Sequence, residues 1–382
     1  MAPDLALESL RSLPANSSVL DPMSGSGTVL RQATELGHSA YGFDVDPLSV
    51  LMARVWTSPA NDQKIGELND ALLGISGDLR PPPLEGFVDT ETCKFIRYWF
   101  CQPQIEVLTR LSSALSMIRH TLDCDEDRLA LDVLSLNLSR IIVTKEQCAS
   151  LARDTSHSRP HRVALTSSYD IYDGYARSLK QLRERLKSNP AEARVEVDLG
   201  DARRLDQVAS KSIDAVVTSP PYLNAIDYLR GHRMALVWLG WSISSLRKIR
   251  SGSIGAERAP DPGANDHDIQ EVVDAMLEGA PVASRHLHMI RRYACDLQAS
   301  TREVARVLKD GACATFVIGN SCLKGTFIKN AEGVAQVART AGLREVARSV
   351  RDLPLASRYL PVTGITLAKR MRTETVLTFQ RA

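Results

Sequence analysis

The sequence predicts an α/β protein: a doubly wound, Rossmann-like sheet with a helical insertion. Three observations predict it. A glycine-rich turn follows a short apolar strand near the start of the chain. Further strands end in acidic residues, stop after the second, and resume near residue 190. Between them the hydrophobic spacing changes from that of strands to that of helices.

In chain order, residues 5–13 read as a short amphipathic helix, and Val19-Leu20 open the first strand. The stretch from Asp21 through Pro22, Met23, Ser24, Gly25, Ser26 and Gly27 to Thr28 is the turn, and Val29 to Leu36 continue as a helix that Gly37 terminates. Ser39 to Phe43 form a second strand ending at Asp44, and Leu48 to Trp56 are helical. Residues 60–90, with three prolines at 81–83, read as irregular. In 91–152, Ile105, Leu108, Leu111 and Leu115 share one helical face, and Leu129, Leu131, Leu134 and Leu138 suggest a second helix. A polar tract at 153–162 reads as a loop and residues 169–186 as a helix. Strands return at Arg194 to Val197 and Ile213 to Val217. Residues 251–266 read as a mobile loop, Val282 to Leu308 as a long helix, Cys313 to Ile318 as a buried strand, Ala331 to Ala341 as a helix and Thr373 to Phe379 as a last strand. The expected organisation is a discontinuous domain of residues 1–57 and 190–382, with a mainly helical insertion at 58–189.

The 382 residues are 44% hydrophobic and 24% charged, ordinary for a globular protein. No apolar run is long enough to span a membrane, and the start lacks a signal-peptide pattern, which places the chain in the cytoplasm. Seven cysteines without a C-x-x-C pair speak against a disulfide framework or a cysteine zinc site. No metal is expected. A net charge of +2 does not by itself identify a polyanion partner. Local basic clusters stand at Arg153 to Arg162, Arg247 to Arg250 and Lys369 to Arg372. Within the first, Arg153, Arg159 and Arg162 lie close to His157 and His161, a tract suited to phosphate or base contacts.

The chemistry lies at the strand ends. Gly25 and Gly27 let the backbone approach a ligand, at which the following helix points its free N–H groups. Asp44, seventeen residues beyond Gly27, can accept hydrogen bonds from ribose hydroxyls. Asp46 before Pro47 suits a helix N-cap instead. Asp201, after the third strand, can accept from an adenine amino group. Thr218-Ser219-Pro220-Pro221-Tyr222 follows a buried strand. Its two prolines stiffen the backbone and remove two N–H donors, leaving a rim of carbonyl oxygens and an aromatic face. An exocyclic amine is a poor nucleophile because its lone pair is delocalised into the ring. The Ser219 hydroxyl and Pro220 carbonyl can hold its hydrogens and turn the lone pair toward a methyl donor. Tyr222 can stack on an extruded base through its ring face rather than its hydroxyl.

The Asp21–Thr28 stretch is similar to the Asp-Pro-Phe-x-Gly-Ser-Gly-Thr cofactor motif of the amino-methylating DNA methyltransferases, with Met23 at the aromatic position. Thr218 to Tyr222 resembles their catalytic motif, whose Ser-Pro-Pro-Tyr form usually accompanies N4-cytosine methylation. The resemblance covers roughly residues 1–57, 190–240 and 305–380. It implies S-adenosylmethionine as cofactor, held by Asp21, Pro22, Gly25, Ser26, Gly27, Thr28, Asp44 and Asp201. It implies Ser219, Pro220, Pro221 and Tyr222 at the target base. It further implies double-stranded DNA as partner with the base flipped out, and a restriction-modification setting with a companion restriction endonuclease; the insertion, through its tract at Arg153 to Arg162, is the candidate DNA-recognition region. N6-adenine DNA methylation, RNA base amino-methylation and a catalytically silent nucleic-acid-binding protein remain the alternatives.

Overall fold

The computed structural model describes residues 8–153, 160–188, 194–223, 227–256, 266–323, 325–352 and 373–382. The chain divides into two compact units. The first comprises residues 1–45, 193–226 and 251–382; the second comprises 46–192 and 227–250. The second unit is therefore larger than the expected insertion, taking in Pro47–Thr57 and residues 227–250.

Among the described residues, the first unit is built on a seven-stranded sheet: β1 Ser18–Asp21, β2 Ser39–Asp44, β3 Val195–Leu199, β4 Ile213–Thr218, β5 Leu308–Gly319, β6 Leu343–Asp352 and β7 Thr373–Arg381. Their order across the sheet is β6-β7-β5-β4-β1-β2-β3. The strands from β5 to β3 are parallel, and β7 is antiparallel to both its neighbours. From β1 the chain builds outward through β2 and β3, then returns to the other side of β1 with β4. That reversal defines the switch point of a doubly wound sheet, where a crevice opens at the carboxyl ends of the strands.

Helix α1, Thr28–Glu35, lies on β1 and β2. It packs closely because Gly42 in β2 has no side chain: a Cβ there would sit 2.4 Å from a Leu30 methyl carbon. The fully buried residues of this unit include Leu20, Val216, Tyr293, Ile318, Val334 and Leu377.

The second unit is helical: α2 Pro47–Thr57, α3 Asp62–Asp78, α4 Leu84–Phe87, α5 Thr90–Trp99, α6 Gln102–Arg119, α7 Asp125–Arg140, α8 Ile171–Leu186, α9 Leu229–Leu236 and α10 Ile243–Gly252, the last ending just past the boundary. Its core gathers Leu72, Ile96, Leu108, Leu111, Leu134, Tyr175 and Leu182 around Trp238, which meets Phe100 edge-on at 5.1 Å. The face expected from Ile105 to Leu115 is buried here; of the one expected from Leu129 to Leu138, Leu131, Leu134 and Leu138 are buried and Leu129 is half-buried. Asp46 caps α2, accepting the Leu48 N–H at 2.9 Å, as its place before Pro47 predicts.

Three further helices belong to the first unit: α11 Asp266–Leu277, α12 Ser284–Val307 and α13 Asn330–Thr340. The expected helices at Val282 to Leu308 and Ala331 to Ala341 correspond to α12 and α13. Of the helix expected at 5–13, the described part is helical to Leu10 and then turns.

Three expectations need correction. Residues 60–90 are not irregular, because α3 runs through them. Asn61 caps it by accepting the Gln63 and Lys64 N–H groups, and packing on α6 and α7 overrides the helix-weakening Gly66, Gly74 and Gly77. The strand β6 is not among the expected elements: of its residues only Leu343 is buried, so the alternating apolar signal is missing. Nor is α11, although Ile269, Val272, Val273 and Met276 bury one face at helical spacing. The expected loop at 251–266 lies largely outside the described residues. No helix among the described residues is long and apolar enough to cross a membrane.

Gly42→Ala is expected to destabilise the protein by about 1–3 kcal/mol by overpacking Leu30. Urea denaturation of variant and parent checks it.

Candidate active site

The expected site residues stand along one edge of the sheet. Asp21, Asp44, Asp201 and Thr218 to Tyr222 lie at or just beyond the carboxyl ends of β1, β2, β3 and β4. Two of these ends meet at the switch point, and a side-chain bond ties them. The Thr218 hydroxyl donates to Asp21 Oδ1 at 2.7 Å, and the Met23 N–H reaches the same oxygen at 3.2 Å. Asp21 is 3% exposed, and burial pushes its carboxyl up to about 7 in spite of these hydrogen bonds.

The turn between β1 and α1 folds back on β2. Ser24 N–H donates to the Phe43 carbonyl and Gly25 N–H to Asp44 Oδ2, each at 2.9 Å. Gly25 and Gly27 have φ of 53° and 86°, the left-handed region that side chains rarely adopt. A Cβ at Gly25 would meet nothing within 4 Å, so open space borders the turn. The buried Ser24 hydroxyl has no hydrogen-bond partner among the described residues. Gly27 precedes α1 and gives it no side-chain cap, so among the described residues the first-turn N–H groups have no capping side chain, an arrangement suited to an anion. Pro22 is buried, Ser26 exposed and Thr28 half-buried. The turn is thus a cradle with open donors, an orphaned hydroxyl and an adjacent carboxylate.

Asp201 is placed differently from its expected use. Arg203 takes both its oxygens, at 2.6 Å and 2.9 Å, and pairs with Asp296 on α12 at 2.6 Å. Burial would raise the Asp201 pKa, but the Arg203 hydrogen bonds and charge outweigh it and hold the carboxyl below its ordinary value.

The Pro-Pro segment is fastened at several points. The Ser219 hydroxyl donates to the Val317 carbonyl at 2.9 Å, so its proton is committed and its lone pairs remain to accept. Tyr293 donates to the Pro221 carbonyl at 2.9 Å. Ser321 donates to the Leu223 carbonyl at 2.6 Å and accepts from Asn330 Nδ2 at 2.7 Å. The Tyr222 hydroxyl donates to Glu374 on β7 at 3.2 Å. The tyrosine hydroxyl, expected to stand idle, is therefore engaged. Tyr293, Ser321, Asn330 and Glu374 are contributors that sequence reasoning missed, because each lies 72 or more residues from the atom it supports or acts through a residue that does.

In the helical unit, the expected phosphate-binding tract is only partly described. Ala152–Arg153 pairs with His161–Arg162 as a short ribbon, and His157 and Arg159 lie outside the described residues. Arg153 turns onto its own turn, donating to Cys148 Sγ, Ser150 O and Ala152 O. Arg162 is exposed and lies over the Tyr98 ring, 5.1 Å from its centre.

No protein-family model matches this chain. Among curated proteins it is similar to the type II methyltransferase M.BsoBI of Geobacillus stearothermophilus, 24% identical over 265 residues. That match takes in 63% of this chain and 51% of that protein, so the chain spans about half the length of this relative. It is also similar to the type II methyltransferase M.MvaI of Kocuria varians, 21% identical over 389 residues, 93% of this chain and 82% of that one. Among solved structures, a TehB-like SAM-dependent methyltransferase of Corynebacterium glutamicum superposes with a TM-score of 0.32 at 9% identity, over 100% of this chain and 89% of that one. A superposition that loose carries no information about the site.

The raised Asp21 pKa has a consequence for stability. The folded state holds this proton to about pH 7 and the unfolded chain releases it near 3.8, so stability falls as pH rises between those values. Asp21→Asn keeps an oxygen for Thr218 and has no proton to lose. The difference in unfolding free energy should therefore shift in favour of Asp21→Asn by at most about 1.4 kcal/mol per pH unit over that interval. Urea melts of the ligand-free proteins at pH 5, 6 and 7 check this; a difference independent of pH would count against it.

Proposed function

We propose that this chain is an S-adenosylmethionine-dependent DNA methyltransferase acting on the exocyclic N4 amino group of cytosine. One observation carries the reading: the glycine turn and the Ser-Pro-Pro-Tyr rim leave adjacent strands at the switch point and are joined by the Asp21–Thr218 hydrogen bond. Similarity to two type II methyltransferases supports it.

The cradle suits the cofactor. The N–H groups opening α1 would take its carboxylate, Asp44 its ribose hydroxyls, and the orphaned Ser24 hydroxyl a further polar group. Asp201 would reach the adenine amino group only by sharing its oxygens with Arg203. S-adenosylmethionine, when bound, supplies a methyl group activated by a sulfonium.

The chain's own task is to present the amine. A cytosine turned out of the duplex stacks on Tyr222. Its amino hydrogens are held by Ser219 Oγ, whose own proton points to Val317, and by the Pro220 carbonyl. These two acceptors rotate the nitrogen lone pair toward the methyl group. The rim offers a hydroxyl where a carboxylate could stand, so the proton released from nitrogen passes to solvent. Placement rather than base strength then supplies most of the rate.

Mass spectrometry of nucleosides from DNA incubated with the protein and labelled cofactor tests the reading. N4-methylcytosine is the expected product; N6-methyladenine would move the target to adenine, and no methylated nucleoside would overturn it. Ser219→Ala should lower the turnover number about tenfold and leave cofactor affinity unchanged, because the lost hydrogen bond serves only the reacting base. Single-turnover rates and calorimetry read the two effects.

The helical unit is the candidate DNA-recognition region. Of its two described ribbon arginines only Arg162 is exposed. Arg162→Ala should reduce the salt dependence of DNA affinity by about one unit of slope, whereas Arg153→Ala should leave it unchanged. Affinities across a salt series decide it, and equal slopes in parent and Arg162→Ala would remove this arginine from the interface.

A further inference from the structure

The hydroxyl of Tyr222 has no part in stacking, yet it is the best-anchored atom of that side chain. It donates to Glu374 Oε1 at 3.2 Å. The other carboxylate oxygen takes Arg351 Nη2 at 2.6 Å and Nε at 3.1 Å. Glu374 is register partner to Arg351 on β6 and to Gly319 on β5, so the three stand in one row across the sheet. Its side chain is only 12% exposed. A link that merely fastened β6 to β7 would need Arg351 and Glu374 alone. The second oxygen of the glutamate is instead turned to the rim.

We propose that Glu374 is a positioning residue: through the Tyr222 hydroxyl it fixes the plane of the ring on which the target base stacks. Backbone and ring are held separately. Tyr293 and Ser321 pin the carbonyls of Pro221 and Leu223 on either side of the tyrosine. With the backbone set, two side-chain torsions remain, and holding the phenol oxygen restricts both. Burial, then the nearby Glu374 charge, push the Tyr222 pKa up, so the hydroxyl keeps the proton it donates. The inference rests on the methyltransferase reading, in which Tyr222 captures the base.

The test uses the whole chain, tritiated S-adenosylmethionine and unmethylated phage DNA. The variants are Glu374→Leu, Glu374→Gln, Tyr222→Phe and the Tyr222→Phe, Glu374→Leu double substitution. Glu374→Leu should raise the KM for DNA about tenfold, the worth of one hydrogen bond to a charged group, and leave the KM for the cofactor unchanged. Tyr222→Phe should do the same, and the double variant should be no worse than either. Glu374→Gln keeps an acceptor oxygen and should recover most of the loss. Multiplied effects in the double variant, or an unchanged KM for DNA in Glu374→Leu, would overturn the inference. If Glu374→Leu does not fold, Tyr222→Phe decides alone, since it removes the same hydrogen bond and keeps the ring: an unchanged KM for DNA in that variant would overturn the inference. A parent that transfers no methyl group to DNA would defeat the methyltransferase reading instead. Thermal melting of the same variants would then still read the contact: non-additive shifts support it and additive shifts overturn it.

Discussion

A buried carboxyl accepting one hydroxyl proton sets the distance between the two halves of the candidate site. The backbone ladder joins β1 to β4 only through Val19 with Ala215 and Leu20 with Val216. Past those pairs the strands diverge, one into the glycine turn and the other into the prolines. The Asp21–Thr218 hydrogen bond continues the ladder by one further rung, made of side chains. It has a cost, since a carboxyl with almost no contact with water resists ionisation. An amide of that shape would hold the strands without the loss of stability as pH rises toward 7. The acid stands where the proposed cofactor-binding turn begins, as expected when a local rule is broken at a functional site.

The rim beyond β4 is rigid for a separate reason. Its two prolines have no N–H groups, so the segment exposes carbonyls without leaving buried donors to satisfy. Those carbonyls are then claimed selectively. Tyr293 takes that of Pro221 and Ser321 that of Leu223, while no donor among the described residues takes that of Pro220. One acceptor is thus left open beside a hydroxyl that has already spent its proton. In the proposed reaction such a rim would act through its arrangement before the substrate arrives, since acceptors that need not reorganise cost nothing at the moment of reaction.

What could be read from the sequence follows from how local each signal is. The glycine turn, the acids closing β1 and β2, and the Pro-Pro rim each occupy a few consecutive residues, so composition and order reveal them. The α6 face is legible because burial repeats along a single helix. The α3 helix is hidden by glycines that packing tolerates, and β6 by its exposed edge position, which removes the alternation a buried strand would show. Asp201 illustrates a finer limit. Its place after β3 is visible, but that Arg203, two residues on, claims its carboxylate depends on Asp296 holding the other side of the guanidinium. The hydroxyl of Tyr222 is the extreme case: its partner lies 152 residues away, with nothing in either segment to announce it.

The antiparallel strand β7 is the last of the seven in the chain but lies inside the sheet, between β5 and β6. A ribosome delivers it after every neighbour it must pair with, so β5 and β6 wait with open edges until it arrives. Pairing over such separations is slow, and exposed edges invite association in the interval. The same strand brings the carboxylate that steadies the tyrosine. The order of synthesis therefore leaves the rim unfinished until the sheet is closed, and a nascent or truncated chain would carry the recognisable motifs without the completed surface.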